Sequence, residues 1–364
     1  MTRTRVCLHA LALLALVGCN AERVVQPEDA DIVDGPDVSM LDVPRSVPLP
    51  TYDGSGQTVH PDVAHAPSWF PNRHWYMAVT PYPNGNVNQE NPSLFYATDP
   101  FQWKTLPGAS NPVVRPPKAG YLSDPDIVFN PDTKELFLYY REFITHNVVK
   151  LVRSSDGVSW SAPVDVVDAP STTAVSPSVV RRGPGQWEMW TVDAGELGCR
   201  NSTTSVTLRR SADGVRWSPP SPVDLAVPVE GFSPWHIEVQ WLPSRNEYWA
   251  VYNAKIASNC ATTVLFLATS PDGVTWTSRP IPLLVAGEIA ELRSIVYRTA
   301  FIYSAATDIV TFWFSGAARP TPSSDIVWST VVKRYRRADV YARTGGQTLG
   351  ALRIPKPIVL KNPP

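Results

Sequence analysis

Three short segments carry the residues with which this chain could do chemistry: His60-Pro61-Asp62, Asp124-Pro125-Asp126 and His236-Ile237-Glu238. In an extended strand, residues two apart face the same side, so each segment presents a pair of polar side chains together. Asp62, Asp126 and Glu238 hold the same place in their segments. If the fold brings them together, burial and mutual repulsion raise the proton affinity of at least one. One protonated and one ionised carboxyl is the pairing that general acid/base hydrolysis needs. The same segments offer a second chemistry, because His60, Asp62, His236 and Glu238 are metal-ligating types that alternate onto one strand face. Histidines beside carboxylates serve more often as hydrogen-bond partners, and no cofactor is expected.

These segments must be positioned by repeats. Ser155-Asp156-Gly157-Val158-Ser159-Trp160, Ala212-Asp213-Gly214-Val215-Arg216-Trp217 and Pro271-Asp272-Gly273-Val274-Thr275-Trp276 match closely, and Asp99-Pro100-Phe101-Gln102-Trp103 and Asp325-Ile326-Val327-Trp328 are weaker copies. The five Trp stand 57, 57, 59 and 52 residues apart. Asp-Gly before Val-x-Trp reads as a hairpin turn feeding an outer strand, with the Trp filling the gap between units. Each unit carries two earlier strands. The second ones read Trp75–Val79, Leu136–Tyr140, Glu188–Val192, Tyr248–Tyr252 and Val310–Phe314, and the first begin near Val63, Ile127, Val179, Val239 and Ile295. Four short strands repeated five times predict an all-β, five-bladed β-propeller over residues 59–340. Six blades at this spacing would leave almost nothing for the N-terminal segment.

In such a fold the first strand of each blade lines the axis, so its start faces the central funnel. In register, the innermost starts are the three acid-bearing segments together with Ser176-Pro177-Ser178 and Leu292-Arg293-Ser294. The ends of the second strands return to the same face and add Arg141, Asp193 and Asn253, with Trp235, Tyr82 and Tyr121 in nearby loops. Together with His60, Asp124 and His236, these polar groups and aromatic platforms suit a sugar, which needs hydrogen bonds at its rim and stacking on its face. The Asp-Gly turns fall on the opposite face, where their Asp residues are turn formers.

An early Asp and a later Glu around a five-bladed axis resemble the glycoside hydrolases of families 43 and 32 and their relatives (arabinanases, xylosidases, invertases). The resemblance is architectural, over about residues 59 to 340. It implies a glycosidase with Asp62 as general base or nucleophile and Glu238 as general acid. It departs at the middle acid, which those families draw from the third repeat; here the third repeat offers Ser178 and the second supplies Asp126. A non-catalytic carbohydrate-binding or surface-assembly propeller is the alternative, since a fold does not fix a function. A sialidase would need an arginine triad, for which only Arg141 and Arg293 are placed.

Composition excludes other classes. Hydrophobic residues are 43%, enough for a large core, charged residues only 18%, and the 37 prolines and 13 Trp suit short strands and loops. The net charge of −1 and the lack of a basic run exclude nucleic acid as an expected partner. The partner expected is a carbohydrate, bound by a monomer.

Arg3 and Arg5 precede an apolar run from Leu8 to Val17, the pattern of a signal peptide over residues 1–18. The run ends Leu16-Val17-Gly18-Cys19, which resembles the bacterial lipobox. That implies a lipid anchor on Cys19 and, with Asn20 next, an outer-membrane or cell-surface lipoprotein. Residues 19–58, acidic and Pro-containing, read as a tether, and 341–364 as a closing segment or tail. Once Cys7 and Cys19 are set aside, Cys199 and Cys260 remain, an even pair that suggests a disulfide in an oxidising compartment.

Overall fold

The computed structural model describes residues 43–71, 74–169, 174–256, 259–321 and 324–345. Apart from β1 (Arg45–Ser46), the strands fall in chain order into five antiparallel sheets. Blade one holds β2 (Thr58–His65), β3 (Trp75–Pro81) and β4 (Ser93–Ala97). Blade two holds β5 (Tyr121–Asn130), β6 (Glu135–Phe143), β7 (Asn147–Ser154) and β8 (Val164–Ala169). Blade three holds β9 (Ala174–Gly183), β10 (Gln186–Asp193), β11 (Ser205–Ser211) and β12 (Ser221–Pro222). Blade four holds β13 (Phe232–Leu242), β14 (Glu247–Ile256), β15 (Asn259–Ser270) and β16 (Thr277–Ser278), with β17 (Leu284–Val285) also pairing β15. Blade five holds β18 (Ile295–Ser304), β19 (Ile309–Ala318) and β20 (Val327–Arg336), followed by the helix α1 (Arg337–Thr344).

The five innermost strands β2, β5, β9, β13 and β18 pack side by side around an axis, and β18 returns to β2. The ring closes through β1, which pairs with β20 (Arg45 opposite Val332, Ser46 opposite Val331) and supplies blade five with its outer strand. Val47 and Leu49 are buried beyond it. The last part of the expected tether is therefore part of the propeller: closing a ring of sheets removes an exposed strand edge, and the N-terminal chain does so here. The signal peptide and Cys19 lie outside the described residues.

The Asp-Gly turns join strands three and four as the repeats predict. Asp156 Oδ1 accepts from the backbone N–H of Val158 and Ser159, Asp213 Oδ1 from Val215 and Arg216, and Asp272 Oδ1 from Val274 and Thr275. Asp99 makes the same turn with Phe101 and Gln102. Each glycine takes a positive φ, 77° at Gly157, 73° at Gly214 and 72° at Gly273. A Cβ on Gly273 would come within 2.7 Å of Trp190, so the turn needs glycine for space as well as for conformation. The turns also latch the blades. Tyr139 of blade two donates to the Gly214 carbonyl of blade three at 2.7 Å, and Trp190 of blade three to Gly273 of blade four at 2.9 Å.

The fifth repeat is different. Trp328 lies inside β20, the third strand of its blade, packed on Tyr82 and Tyr297, and so does not follow a turn between strands three and four. Blade five takes its outer strand from β1, so it needs no turn there, and the short interval of 52 residues has that cause. The error carries into the register of β18. Leu292 is a buried apolar residue of a 3-10 turn and Arg293 is exposed, so neither faces the axis.

Candidate functional site

Every innermost strand is broken near its start by a register shift against its neighbour. The shifts fall between Val59 and Asp62, Ser123 and Asp126, Pro234 and His236, and Val296 and Thr299, and in β9 opposite Trp190 and Val192. Such bulges re-aim side chains. His60, Asp124 and Ser176 sit in the left-handed region at φ 57°, 50° and 54°, a conformation that costs a non-glycine residue of order 1–3 kcal/mol and is kept where surrounding structure fixes it.

The result is two tiers along the axis. The upper tier, at the mouth where the innermost strands begin, holds His60, Asp124, Ser176, His236 and Tyr297. The lower holds Asp62, Asp126, Ser178, Glu238 and Arg298. In four blades the tiers are two residues apart in sequence; in blade five the shift between Val296 and Thr299 gives both levels to adjacent residues. Tyr297 and Arg298 were hidden from sequence reasoning by the misplaced fifth repeat.

Lower-tier side chains stitch one blade to the next. Asp62 Oδ2 accepts from Ile127 N at 2.5 Å, Asp126 Oδ1 from Val179 N at 3.1 Å and Ser178 Oγ from Val239 N at 2.8 Å. Arg298 Nη2 donates to Glu238 at 3.0 Å, to Asp126 at 3.4 Å and to the Pro177 carbonyl at 3.1 Å. The three predicted acids do converge, with one oxygen from each within 4.8 Å of the others. Burial raises the proton affinity of all three; Asp62 adds to this at Glu238, and Asp62 and Glu238 add to it at Asp126, while Arg298 opposes it. The cavity these acids line extends toward the β2–β3, β5–β6 and β13–β14 turns, on the face opposite the one expected from sequence.

In the upper tier, His60 Nε2 stands 3.4 Å and His236 Nδ1 3.2 Å from Asp124 Oδ1. Arg141 Nε lies 2.9 Å from Asp124 Oδ2. Asn253 Oδ1 accepts from the His236 backbone at 2.7 Å, and Trp235 Nε1 donates to Tyr297 Oη at 2.9 Å. The Tyr297 ring packs on both imidazoles. Asp193, predicted alongside these, accepts from Gly195 of its own loop and makes no hydrogen bond to either tier. Its strand ends as predicted, but the chain turns it into the loop.

Glu90 was missed, because it lies in the long β3–β4 connection, which the repeats do not describe. Its Oε2 is 3.7 Å from His60 Nδ1, and neither of its oxygens has a hydrogen-bond partner among the described residues. Burial, reinforced by Asp124, holds its carboxyl well above the usual range. Burial pushes both His60 and His236 down, against the pull of Asp124, which favours their charged forms. Burial also opposes the charge of Asp124, yet His60, Arg141 and His236 hold it well below the usual carboxylate range. Of the three, Arg141 is the cation that stays charged whatever the pH and so keeps Asp124 ionised when the imidazoles are neutral.

His60 Nε2, Asp124 Oδ1 and His236 Nδ1 are all buried and all without hydrogen-bond partners among the described residues. One ligand atom from each of the three residues lies within 4.8 Å of the others. Leaving such atoms unpaired costs about 1–3 kcal/mol each. Two neutral imidazoles and one carboxylate are the donor set that divalent zinc, manganese or iron accepts with positions left open for water and substrate. The residues present fit such an ion.

No protein-family model matches the chain. It is 26% identical to the A type blood N-acetyl-α-D-galactosamine deacetylase of Flavonifractor plautii over 364 aligned residues, which span 85% of this chain and 47% of that protein. The chain thus spans about half the length of the curated relative it matches. Among solved structures, it superposes on an N-acetylgalactosamine deacetylase from F. plautii in complex with blood group B trisaccharide, with a TM-score of 0.77 and 22% identity over 84% of this chain and 98% of that one. A thermostable family-43 glycoside hydrolase aligns with a TM-score of 0.57 and 13% identity over 76% of this chain and 89% of that one. All three chains share one fold. The five-bladed propeller of the family-43 glycoside hydrolases is the architecture of this protein, as the resemblance in its sequence implies.

The disulfide expected from the cysteine count is present. Cys199, in the β10–β11 connection of blade three, is bonded to Cys260 on β15 of blade four.

Proposed function

We propose that this protein is a carbohydrate-active hydrolase whose reactive centre is the upper tier, and that it removes the N-acetyl group from an amino sugar. The observation that carries this reading is the convergence of three unpaired ligand atoms from His60, Asp124 and His236, with the unpaired carboxyl of Glu90 beside them. A divalent cation held by those three residues would supply Lewis-acid polarisation of an acyl oxygen and make a nearby water more acidic. Glu90 holds a proton more readily than an ordinary carboxyl, so it can take one from water and return it to the departing amine. Arg141 keeps Asp124 ionised, Asn253 fixes the His236 backbone and Trp235 fixes Tyr297. The name of the F. plautii relative supports the same chemistry.

Glycoside hydrolysis by Asp62, Asp126 and Glu238 is the second reading, favoured by the raised proton affinity of Glu238 and the cavity beside it. Here Arg298 bridges Asp126 and Glu238, and backbone amides hold Asp62 and Asp126. That geometry favours a structural ring over a gap for a sugar. Incubating the full chain with N-acetyl-α-D-galactosaminides and other glycosides separates the readings. Free acetate with the glycoside intact supports the first; reducing sugar without acetate supports the second; binding with neither product supports a non-catalytic propeller.

For the membrane, we propose a lipid anchor on Cys19 that tethers the propeller to an outer membrane or cell surface. Cys19→Ser is expected to move the protein to the soluble fraction in its host. A wild-type protein that is already soluble and unlipidated by mass spectrometry overturns the anchor.

A further inference from the structure

We infer that Tyr82 is a further catalytic residue of the upper tier, its hydroxyl donating a hydrogen bond to the acyl oxygen as negative charge develops there. The inference rests on the deacetylase reading and adds a residue to it.

Tyr82 stands where β3 gives way to the connection that carries Glu90. Its backbone N–H donates to the Gln57 carbonyl at 2.9 Å, which holds it beside the start of β2. Its ring meets Trp328 edge-on, with centroids 4.8 Å apart. Trp328 packs in turn on Tyr297, and Tyr297 on the His60 and His236 imidazoles. Tyr82 is 1% exposed, as buried as Glu90 and the ligand atoms, yet its hydroxyl has no hydrogen-bond partner among the described residues. An unmatched buried hydroxyl is costly, and a phenylalanine would fill the same space without that cost. Burial, reinforced by Glu90, Tyr297 and Tyr121 and opposed by Arg141, holds the phenol proton on well above the usual range. Tyr82 is therefore a donor at every ordinary pH, and the groups that act on it are those of the upper tier.

The unmatched groups of this tier sort by sign. His60 Nε2, Asp124 Oδ1 and His236 Nδ1 offer lone pairs that a cation would satisfy, and Glu90 is placed to move a proton. Tyr82 Oη and Asn253 Nδ2 are buried donors that neither partner matches, the second held in place by the bond from the His236 amide to Asn253 Oδ1. Such donors suit an oxygen that gains negative charge during the reaction.

In the hydrolysis, the water oxygen bonds to the acyl carbon, one water proton goes to Glu90, and the carbonyl π pair moves onto the acyl oxygen. Tyr82 donates to that oxygen and keeps its own proton. When the pair returns, the C–N bond breaks, Glu90 gives its proton to the nitrogen, and acetic acid and the amine leave. Base and donor come from one connection, so the fold places them together around one acyl group.

The test compares the wild-type full chain with Tyr82→Phe on methyl N-acetyl-α-D-galactosaminide, with metal content and melting temperature recorded for both. In Tyr82→Phe, kcat is expected to fall about 10²–10³-fold with KM within a few fold of wild type. The melting temperature should be at or above the wild-type value and the metal content unchanged. Affinity for the methylphosphonamidate analogue, which has charged oxygens at the acyl position, should fall in step with kcat. Full kcat in Tyr82→Phe, beside a wild type that releases acetate, overturns the role of Tyr82 and leaves the deacetylase reading standing. A raised KM with unchanged kcat does the same, since the hydroxyl would then only hold the substrate. A variant that melts well below wild type or loses its metal makes the hydroxyl structural and also overturns the role. A wild type that releases no acetate overturns the reading and this inference with it.

Discussion

Asp124 Oδ1 and His236 Nδ1 lie 3.2 Å apart, although one belongs to blade two and the other to blade four. The propeller brings them together across the axis because blade three, between them, presents only the small Ser176 at this level. His60 completes the group from blade one, and Glu90 reaches it from a connection outside the repeats. Replacing Glu90 by Gln keeps its shape and removes its proton chemistry. Glu90→Gln is expected to lower acetate release by about 10²–10⁴-fold with the circular dichroism spectrum and melting temperature close to wild type. Full rates in this variant would remove Glu90 from the mechanism.

The lower tier answers to a different measurement. Arg298 is the cation bridging Asp126 and Glu238, so Arg298→Met leaves buried carboxyls without it. Breaking a buried ion pair this way costs about 3–5 kcal/mol, to be read as a fall in the denaturant midpoint. Glu238→Gln, which keeps an acceptor for Arg298, is expected to retain deacetylation within a few fold per folded molecule. If Glu238→Gln instead folds normally and loses all turnover, the lower acids are the reactive ones.

In the Asp-Gly turns, Asp213 accepts from two backbone amides on a partly exposed surface. Asp213→Ala is expected to cost about 1 kcal/mol, as loss of an equivalent helix cap does. Slight burial opposes its charge, but the Arg216 and Val215 amides pull its carboxyl down to about 2. The folded value is below the unfolded one, so the contribution is complete above about pH 4 and fades as pH falls toward 2. The stability gap between wild type and variant should close over that window. A gap that stays constant down to pH 2 would show that the turn is held by something other than the ionised carboxylate.

The bond between Cys199 and Cys260 closes a sequence separation of 61 residues between neighbouring blades. A loop of that size corresponds to about 4 kcal/mol of constraint on the unfolded chain. The Cys199→Ser, Cys260→Ser double variant should unfold at lower denaturant by that amount. A shift of under about 1 kcal/mol would mean that the unfolded chain is already constrained there.

The repeats made the fold legible. Near-identical Asp-Gly-Val-x-Trp turns can arise only from units of the same geometry, and they put Asp62, Asp126 and Glu238 in register across three blades. Blade five was misread because its outer strand comes from the N-terminal chain, so Trp328 imitates a turn residue while lying within β20. That displacement of a few residues hid Tyr297 and Arg298, both of which reach the axis through a bulge. Bulges leave little trace in an alternating pattern, and Glu90 lies where no pattern runs. His60, Asp124, Arg141, His236 and Asn253 were visible as polar rim residues. Their collection into one group of unpaired ligand atoms depends on distances that sequence does not carry.

Whether the upper tier is the reactive centre is decided by acetate release measured alongside metal content, for wild type and His236→Ala. The wild-type full chain is expected to bind one divalent ion and to free acetate from an N-acetyl-α-D-galactosaminide. Chelation should stop the release and added metal restore it, while His236→Ala should lose both the ion and the activity with its melting temperature nearly unchanged. Acetate release that persists at the wild-type rate in His236→Ala, with or without chelator, would contradict the assignment of the upper tier as the reactive centre.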